Sequence, residues 1–125
     1  MIAQRVPYPA NKGEKIRSFN QAKFLADLGH HIHVISPIED DSEAVYVKQL
    51  AKLPNFSCEY APLPSKPFRL LTGLMKNESL SVANFYCAQL QKLIDKALTE
   101  QVFDAIICTS SAVAKYVFNS KVIHA

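Results

Sequence analysis

Residues 5–17 read Arg-Val-Pro-Tyr-Pro-Ala-Asn-Lys-Gly-Glu-Lys-Ile-Arg, and this stretch decides how the chain is organised. Pro7 and Pro9 cannot donate a backbone hydrogen bond to a central sheet, so they end a short strand and begin a loop. Gly13 permits a backbone conformation that other residues resist, which predicts the turn into a helix. A strand, a polar loop and a helix in this order are typical of the ligand-binding edge of an α/β domain.

The same loop is a candidate anion site. A helix that begins beside Gly13 would direct its unpaired N–H groups and its positive dipole end toward the loop. Lys12, Lys15 and Arg17 add positive charge nearby. The alternative is an ordinary turn with solvated cations, and the residues alone do not separate the two.

The residues that follow predict a β-α-β unit. Residues 13–28 have apolar side chains at helical spacing, and Gly29 follows as a C-terminal cap. Residues 31–36 alternate between polar and apolar and then become continuously apolar, and Ile32, Val34 and Ile35 are β-branched, which predicts a second strand that ends at Pro37. The apolar positions predicted to face the core are Ile16, Phe19, Ala22, Leu25 and Leu28.

Further elements alternate along the chain. The pattern predicts a short helix that Asp41 or Ser42 caps and Pro54 ends, and a long helix capped by Ser81. It also predicts strands at residues 56–61 and 103–108 and a helix at residues 112–118. Alternating strands and helices indicate an α/β fold, a Rossmann-like open parallel sheet with helices on both faces.

The ends of the chain modify this prediction. Residues 2–6 are short for a first strand, and the apolar run at residues 121–124 stops soon after it starts. We therefore expect residues 1–125 to form a single Rossmann-like α/β domain that is one part of a larger one.

Composition excludes several classes of protein. The chain has 125 residues, 49% hydrophobic and 20% charged, which fits one globular domain. Its net charge of +3 is not gathered in a basic stripe, so nucleic acid is not predicted as a partner. No apolar run approaches the roughly 20 residues of a membrane span, and no secretory signal is present, which predicts a cytoplasmic protein. Cys58, Cys87 and Cys108 stand apart in apolar surroundings and are expected to be buried free thiols.

Parallel strands bring their carboxyl ends to one edge, here residues 8–13, 37–41 and 109–111. The glycine-rich signatures of dinucleotide and phosphate-loop sites are absent, so no cofactor is predicted. Ser110 and Ser111 lack the glycines of a nucleophile elbow. They are expected to cap the next helix, with ligand contact as the alternative.

Two polar clusters favour ordinary structural roles. His31 and His33 would point to one face of a strand while His30 lies in the turn, and no carboxylate or cysteine close in sequence completes a metal site. No metal is therefore predicted, and the histidines are expected at an edge or in a loop. The acidic residues 39–41 could bind a cation or a sugar hydroxyl, but a helix N-terminus attracts acids for dipole reasons alone.

A basic, apolar segment lies at residues 66–77. Lys66, Arg69 and Lys76 are interleaved there with leucine, phenylalanine and methionine. The segment could pack on the domain, or it could make a peripheral contact with an anionic membrane or a lipid-linked acceptor.

Residues 5–19 resemble the start of family-4-type retaining glycosyltransferases of the GT-B fold, and most closely the exosortase-associated bacterial sugar transferase subgroup. In that group a first strand runs into a Pro-Tyr-Pro-x-x-Lys-Gly-x-Lys-Ile-Arg loop and helix. The first motif is the specific one, but the likeness spans essentially the whole chain. It continues in residues 25–30, 39–41 and 103–105, in Ser110 and Ser111, and in Tyr116.

The resemblance implies the N-terminal, acceptor-side domain of an enzyme of polysaccharide biosynthesis. Lys12, Gly13 and Arg17 would then face the diphosphate of a nucleotide-sugar. The residues implied to contact the acceptor or the sugar are Tyr8, Asn11, Ser110 and Ser111. The acceptor would be lipid-linked or a saccharide, at the inner membrane face.

This chain departs from that family in two ways. Many relatives carry a histidine just after the strand that matches residues 103–108, whereas this chain has Thr109-Ser110-Ser111, so no catalytic residue is assigned. The nucleotide-sugar domain with its paired glutamates is missing, so the chain alone is expected to be inactive. The rival hypothesis is a non-catalytic flavodoxin-like interaction or regulatory module. A receiver module needs an aspartate at the end of a central strand, and Asp104 is at a strand's beginning.

Overall fold

The computed structural model describes residues 1–62 and 88–117. These residues form an α/β structure with a two-stranded parallel sheet and helices. In chain order the elements are α1 (Gly13–Asp27), β1 (Ile32–Ile38), a 3-10 turn (Asp41–Glu43), α2 (Ala44–Ala51), β2 (Phe56–Pro62), α3 (Ala88–Glu100), α4 (Ser111–Ala114) and a second 3-10 turn (Lys115–Val117). Outside the described residues lie the predicted Ser81 cap, Cys87, the segment with Lys66, Arg69 and Lys76, and the final apolar run.

The sheet is extended by two isolated bridges. β1 and β2 pair in parallel, with Ile32 opposite Phe56. Ile2 bridges Ile35 on one side and Cys108 on the other, both in parallel. Residues 1–3 therefore lie between β1 and residues 106–109. The strands predicted at residues 2–6 and 103–108 are wrong in extent, because the chain bends at residues 4 and 5 and the pairing is limited to these bridges.

β1 does not end at Pro37, as predicted, but continues to Ile38. Ile35 donates to Met1 O at 3.0 Å and accepts from Ala3 N at 3.0 Å. Pro37, two residues on, has its ring nitrogen on this same side of the strand. Residues 4 and 5 have already bent away there, so the missing N–H leaves no ladder bond unmade.

Neighbouring residues of β1 point to opposite faces and enter separate cores. Val34 joins a cluster with α1 and α2, whereas Ile35 joins a cluster with α3. The first cluster contains Ala3, Ala22, Ala26, Ile32, Val34, Leu50 and Phe56. The second contains Ile2, Ile35, Ala61, Leu90, Ile94, Ala97, Ile106, Val113, Tyr116 and Val117. α1 and α2 therefore cover one face of the sheet, and α3 covers the other.

α1 confirms the predicted helix, and Phe19, Ala22 and Leu25 contact the core as predicted. The prediction was wrong at the two ends of that face. Ser18, Ala22 and Ala26 are buried, whereas Ile16 and Leu28 are 43% and 62% exposed. These three small residues are four apart and form one row along the helix. Small side chains let the helix approach the sheet closely, which leaves the larger ones at the margins.

The cap of the following turn is Asp40, not the predicted Asp41 or Ser42. The Asp40 carboxylate accepts a hydrogen bond from Ser42 N at 2.9 Å. The 3-10 turn takes up residues 41–43, so the capping position moves back by one or two residues. α2 then ends at Ala51, before the predicted end at Pro54.

The glycines at the two ends of α1 differ in whether their backbone conformation requires glycine. Gly29 has φ 97° and donates to Ala26 O at 3.0 Å, which confirms the predicted C-terminal cap. Gly13 is the first helical residue, has no positive φ, and has open space where a Cβ would stand. The expectation that Gly13 is needed for an unusual backbone angle is therefore wrong.

Alanine substitution should separate these glycines. Gly29→Ala is expected to lower the free energy of unfolding by about 1 kcal/mol, because an L-residue resists left-handed backbone. Gly13→Ala should leave it unchanged or raise it by about 0.5 kcal/mol. Urea denaturation of both variants measures the difference, and equal destabilisation would contradict this account.

In the described part of the chain, no helix combines the length and the apolar character that a membrane crossing requires.

Candidate functional site

A pocket lies where residues 1–3 and 106–109 end, beside the first turns of α1. Its volume is about 430 Å³, which includes space open to solvent. We call it the edge pocket, and its lining residues are Gln4, Arg5, Glu14, Lys15, Arg17, Ser18, Thr109 and Ser110. It lies at the predicted edge of the sheet, the carboxyl edge.

Thr109 connects the walls of the edge pocket. Its N–H donates to Ile2 O at 3.1 Å, and its hydroxyl accepts from Gln4 N at 3.1 Å. Arg17 Nη2 donates to Thr109 O, also at 3.1 Å. One residue thus holds the first segment of the chain, α1 and residues 106–109 in a fixed arrangement.

The charges of the pocket are mainly positive. Arg5 Nε lies 2.9 Å from Glu14 Oε1, and Arg5 Nη1 lies 4.0 Å from Glu39 Oε2. These partly exposed pairs add little stability, but Arg5 offsets the charge of Glu14 in the first turn of α1. Lys15 and Arg17 then add to the positive dipole end of the helix. The arrangement favours an anion.

Ser110 has an unusual hydroxyl. It stands at the N-cap of α4, but its side chain makes no capping hydrogen bond, so the predicted capping role is wrong for this residue. Its Oγ is buried without a hydrogen-bond partner among the described residues. A buried hydroxyl left unpaired costs about 1–3 kcal/mol, so a ligand that reached it would recover a stabilising contact.

The edge pocket brings together only some of the predicted site residues. Arg17 and Ser110 line it. Lys12 is the exposed N-cap of α1, with extended backbone, and Gly13 is exposed at the first helical position. Both lie beside the pocket in sequence but outside its lining.

The other predicted contacts also lie outside the pocket lining. Tyr8 is half-buried, and its ring centroid lies 6.0 Å from that of Phe19, against the core that α1 covers. Asn11 is exposed in the loop, and its N–H donates to Pro9 O at 2.9 Å. Ser111 is exposed at the first position of α4.

Sequence reasoning missed four lining residues, namely Gln4, Arg5, Glu14 and Ser18. Gln4 and Arg5 directly follow the bridged segment, which is a usable signal for a sheet edge. Ser18 is buried and donates to Glu14 O at 2.9 Å within α1. Nothing in the sequence distinguishes Ser18 from a solvent-facing serine.

No known protein family, curated protein or solved structure matches this chain.

The described cysteines are less buried than expected. Cys58 and Cys108 are half-buried free thiols. Burial raises the pKa of Cys58 from 9.0 to about 11, although the positive chain amino group lowers it in part. Burial likewise raises the pKa of Cys108. A raised pKa keeps both thiols protonated at neutral pH, which makes them poor nucleophiles.

This gives a reactivity prediction for Cys58. With a pKa of about 11, roughly one molecule in a thousand is thiolate at pH 8. We expect iodoacetamide to modify Cys58 roughly a hundredfold more slowly in the native chain than in urea. Mass spectrometry of the Cys58 peptide measures the rate, and equal native and unfolded rates would contradict the shift.

Proposed function

We propose that this chain is the N-terminal, acceptor-side half of a GT-B glycosyltransferase. The enzyme moves a sugar from a nucleotide-sugar to a lipid-linked or saccharide acceptor in polysaccharide biosynthesis, on the cytoplasmic face of the inner membrane. The observation that carries the proposal is the edge pocket, where cationic side chains and an unpaired hydroxyl meet the N-terminus of α1.

The order of the parallel segments supports a Rossmann-like domain. Across the sheet, β2 is followed by β1, then residues 1–3, then residues 106–109. Numbered along the chain this is 3-2-1-4, the order of one half of a doubly wound sheet. Such sheets bind ligands where the order reverses, outside the carboxyl ends of the strands. The edge pocket lies at that point, where residues 1–3 and residues 106–109 end.

The chemistry of sugar transfer gives the pocket its role. As the glycosidic bond to the donor breaks, negative charge develops on the departing diphosphate. Arg17, Lys15 and the first N–H groups of α1 stabilise that charge, and Lys12 and Gly13 extend the contact at the start of the helix. Fixed donors of this kind stabilise the transition state without having to reorganise.

The remaining predicted residues belong to the acceptor side. Ser110 offers its unpaired hydroxyl to the sugar or the acceptor. Tyr8, Asn11 and Ser111 lie outside the pocket lining and would contact the acceptor beyond it. The nucleotide is held mainly by a second domain, so this chain alone does not transfer sugar.

The DNA on both sides of the coding sequence tests this proposal. We expect an in-frame or neighbouring sequence that encodes a second α/β domain able to bind a nucleotide-sugar. A stop codon with no such partner nearby would contradict the enzyme hypothesis and would favour the non-catalytic module.

A further inference from the structure

A cluster of polar side chains outside the edge pocket lies on the sheet face that α3 covers. His31 Nε2 lies 2.9 Å from Ser57 Oγ, and His33 Nδ1 lies 2.6 Å from the same oxygen. Two imidazole nitrogens from alternate residues therefore converge on one atom. This confirms the sequence prediction that His31 and His33 share a face.

Glu59 fixes the tautomer of His33. Its Oε2 lies 3.2 Å from His33 Nε2, and a carboxylate can only accept, so His33 Nε2 carries the hydrogen and donates a hydrogen bond to Glu59. The lone pair of neutral His33 is then on Nδ1, the nitrogen that faces Ser57. The Ser57 hydroxyl donates to His33, and Ser57 accepts from His31, because one hydroxyl has only one proton to give.

The His33 ring is also held by packing. Its side chain is 9% exposed, and the ring stacks on Phe103 with a centroid distance of 6.1 Å and an interplanar angle of 25°. His31 is exposed and leaves the cluster open to solvent. One imidazole is thus oriented in advance, and the other is accessible.

We propose that His31 and His33 bind a divalent transition-metal ion of the zinc class. Neutral imidazole is a preferred ligand of such ions, at about 2.0–2.1 Å. An ion bound by His31 Nε2 and His33 Nδ1 replaces the two hydrogen bonds that these nitrogens make with Ser57 Oγ, and the Ser57 side chain moves away from the ion.

Glu59 supports this site through its contact with His33 and does not bind the ion itself. A carboxylate that accepts the other N–H of a ligating histidine fixes the ring and raises its basicity. In the described ranges, no group of three histidine, cysteine or acidic side chains could hold a metal ion. The proposed site is therefore a two-histidine chelate completed by water. Cys58 does not take part, since residues 57 and 58 point to opposite faces of β2.

Isothermal titration of the tag-free chain with Zn²⁺ tests the site. We expect saturable binding of one ion, which His31→Ala weakens at least about tenfold by removing a ligand. Glu59→Gln should weaken it about tenfold, because the negative charge that accepts the hydrogen bond of His33 Nε2 is lost. The matched control is His30→Ala, because His30 is an exposed histidine next to His31 in the segment before β1. It should bind zinc as the parent chain does.

Several results would overturn the proposal. These are the absence of saturable zinc binding, unchanged binding in His31→Ala, and an equal loss in His30→Ala. Saturable binding of Mg²⁺ with similar affinity would also overturn it, because Mg²⁺ prefers oxygen ligands to imidazole. None of these results bears on the edge pocket, so the two proposals can fail separately.

Discussion

The Ile94→Ala chain is expected to have a free energy of unfolding about 3 kcal/mol below that of the parent chain. Ile94 is 1% exposed and belongs to the core between α3 and the sheet. Removing its side chain costs the lost transfer free energy and leaves a cavity lined by neighbours that relax only in part. Urea denaturation, with the m-value compared between the two chains, measures the change.

Ile16→Ala is the matched control, because it makes the same substitution in the other long helix. Ile16 is 43% exposed on α1, and alanine has the higher helix propensity. Its effect should remain below about 1 kcal/mol. Comparable losses in the two variants would show that Ile16 faces the core, as the sequence had predicted and the structure contradicts.

The second large effect is expected at Arg17. Arg17→Ala should weaken the binding of inorganic pyrophosphate, a probe for the donor diphosphate, at least about tenfold. One N–H group of Arg17 holds Thr109 O at 3.1 Å, which aims the guanidinium at the edge pocket and leaves other N–H groups for an anion. Isothermal titration at low salt gives the affinity of each chain.

Two variants control this experiment. Lys23→Ala removes a cation from the C-terminal half of the same helix, where Lys23 pairs with Asp27, and should bind pyrophosphate like the parent chain. Arg17→Lys keeps the charge and should retain more affinity than Arg17→Ala. If Lys23→Ala and Arg17→Ala lost affinity equally, the binding would reflect net charge rather than the edge pocket.

The helices and strands that depend on short-range interactions could be predicted from the sequence. The apolar spacing and Gly29 located α1, and the β-branched run located β1. The strand predicted at residues 56–61 is β2, which extends one residue further to Pro62. In each case the signal comes from residues close together in sequence. Side chains repeat every 3.6 residues along a helix and every two residues along a strand.

Features that depend on distant contacts could not be predicted. Pro37 stays in β1 because the chain that follows residues 1–3 bends away at residues 4 and 5, before it would pair with Pro37. The choice of Ser18 over Ile16 as a buried residue depends on how closely α1 approaches the sheet.

The candidate site shows the same division. The loop chemistry at residues 5–17 pointed to this edge, and Arg17 and Ser110 do line the edge pocket. Thr109, however, contacts Gln4 and Arg17, which are 105 and 92 residues away in sequence. Likewise, the pairing of His33 with Ser57 depends on a strand register that neither strand specifies alone.

The most direct test of the edge pocket as a diphosphate site is an NMR titration of the ¹⁵N-labelled chain with inorganic pyrophosphate. We predict saturable shifts of the backbone amides of residues 13–18, 109 and 110, with the amides of residues 23–27 unchanged. Shifts that are absent, or that spread over the basic surface without saturating, would contradict the account.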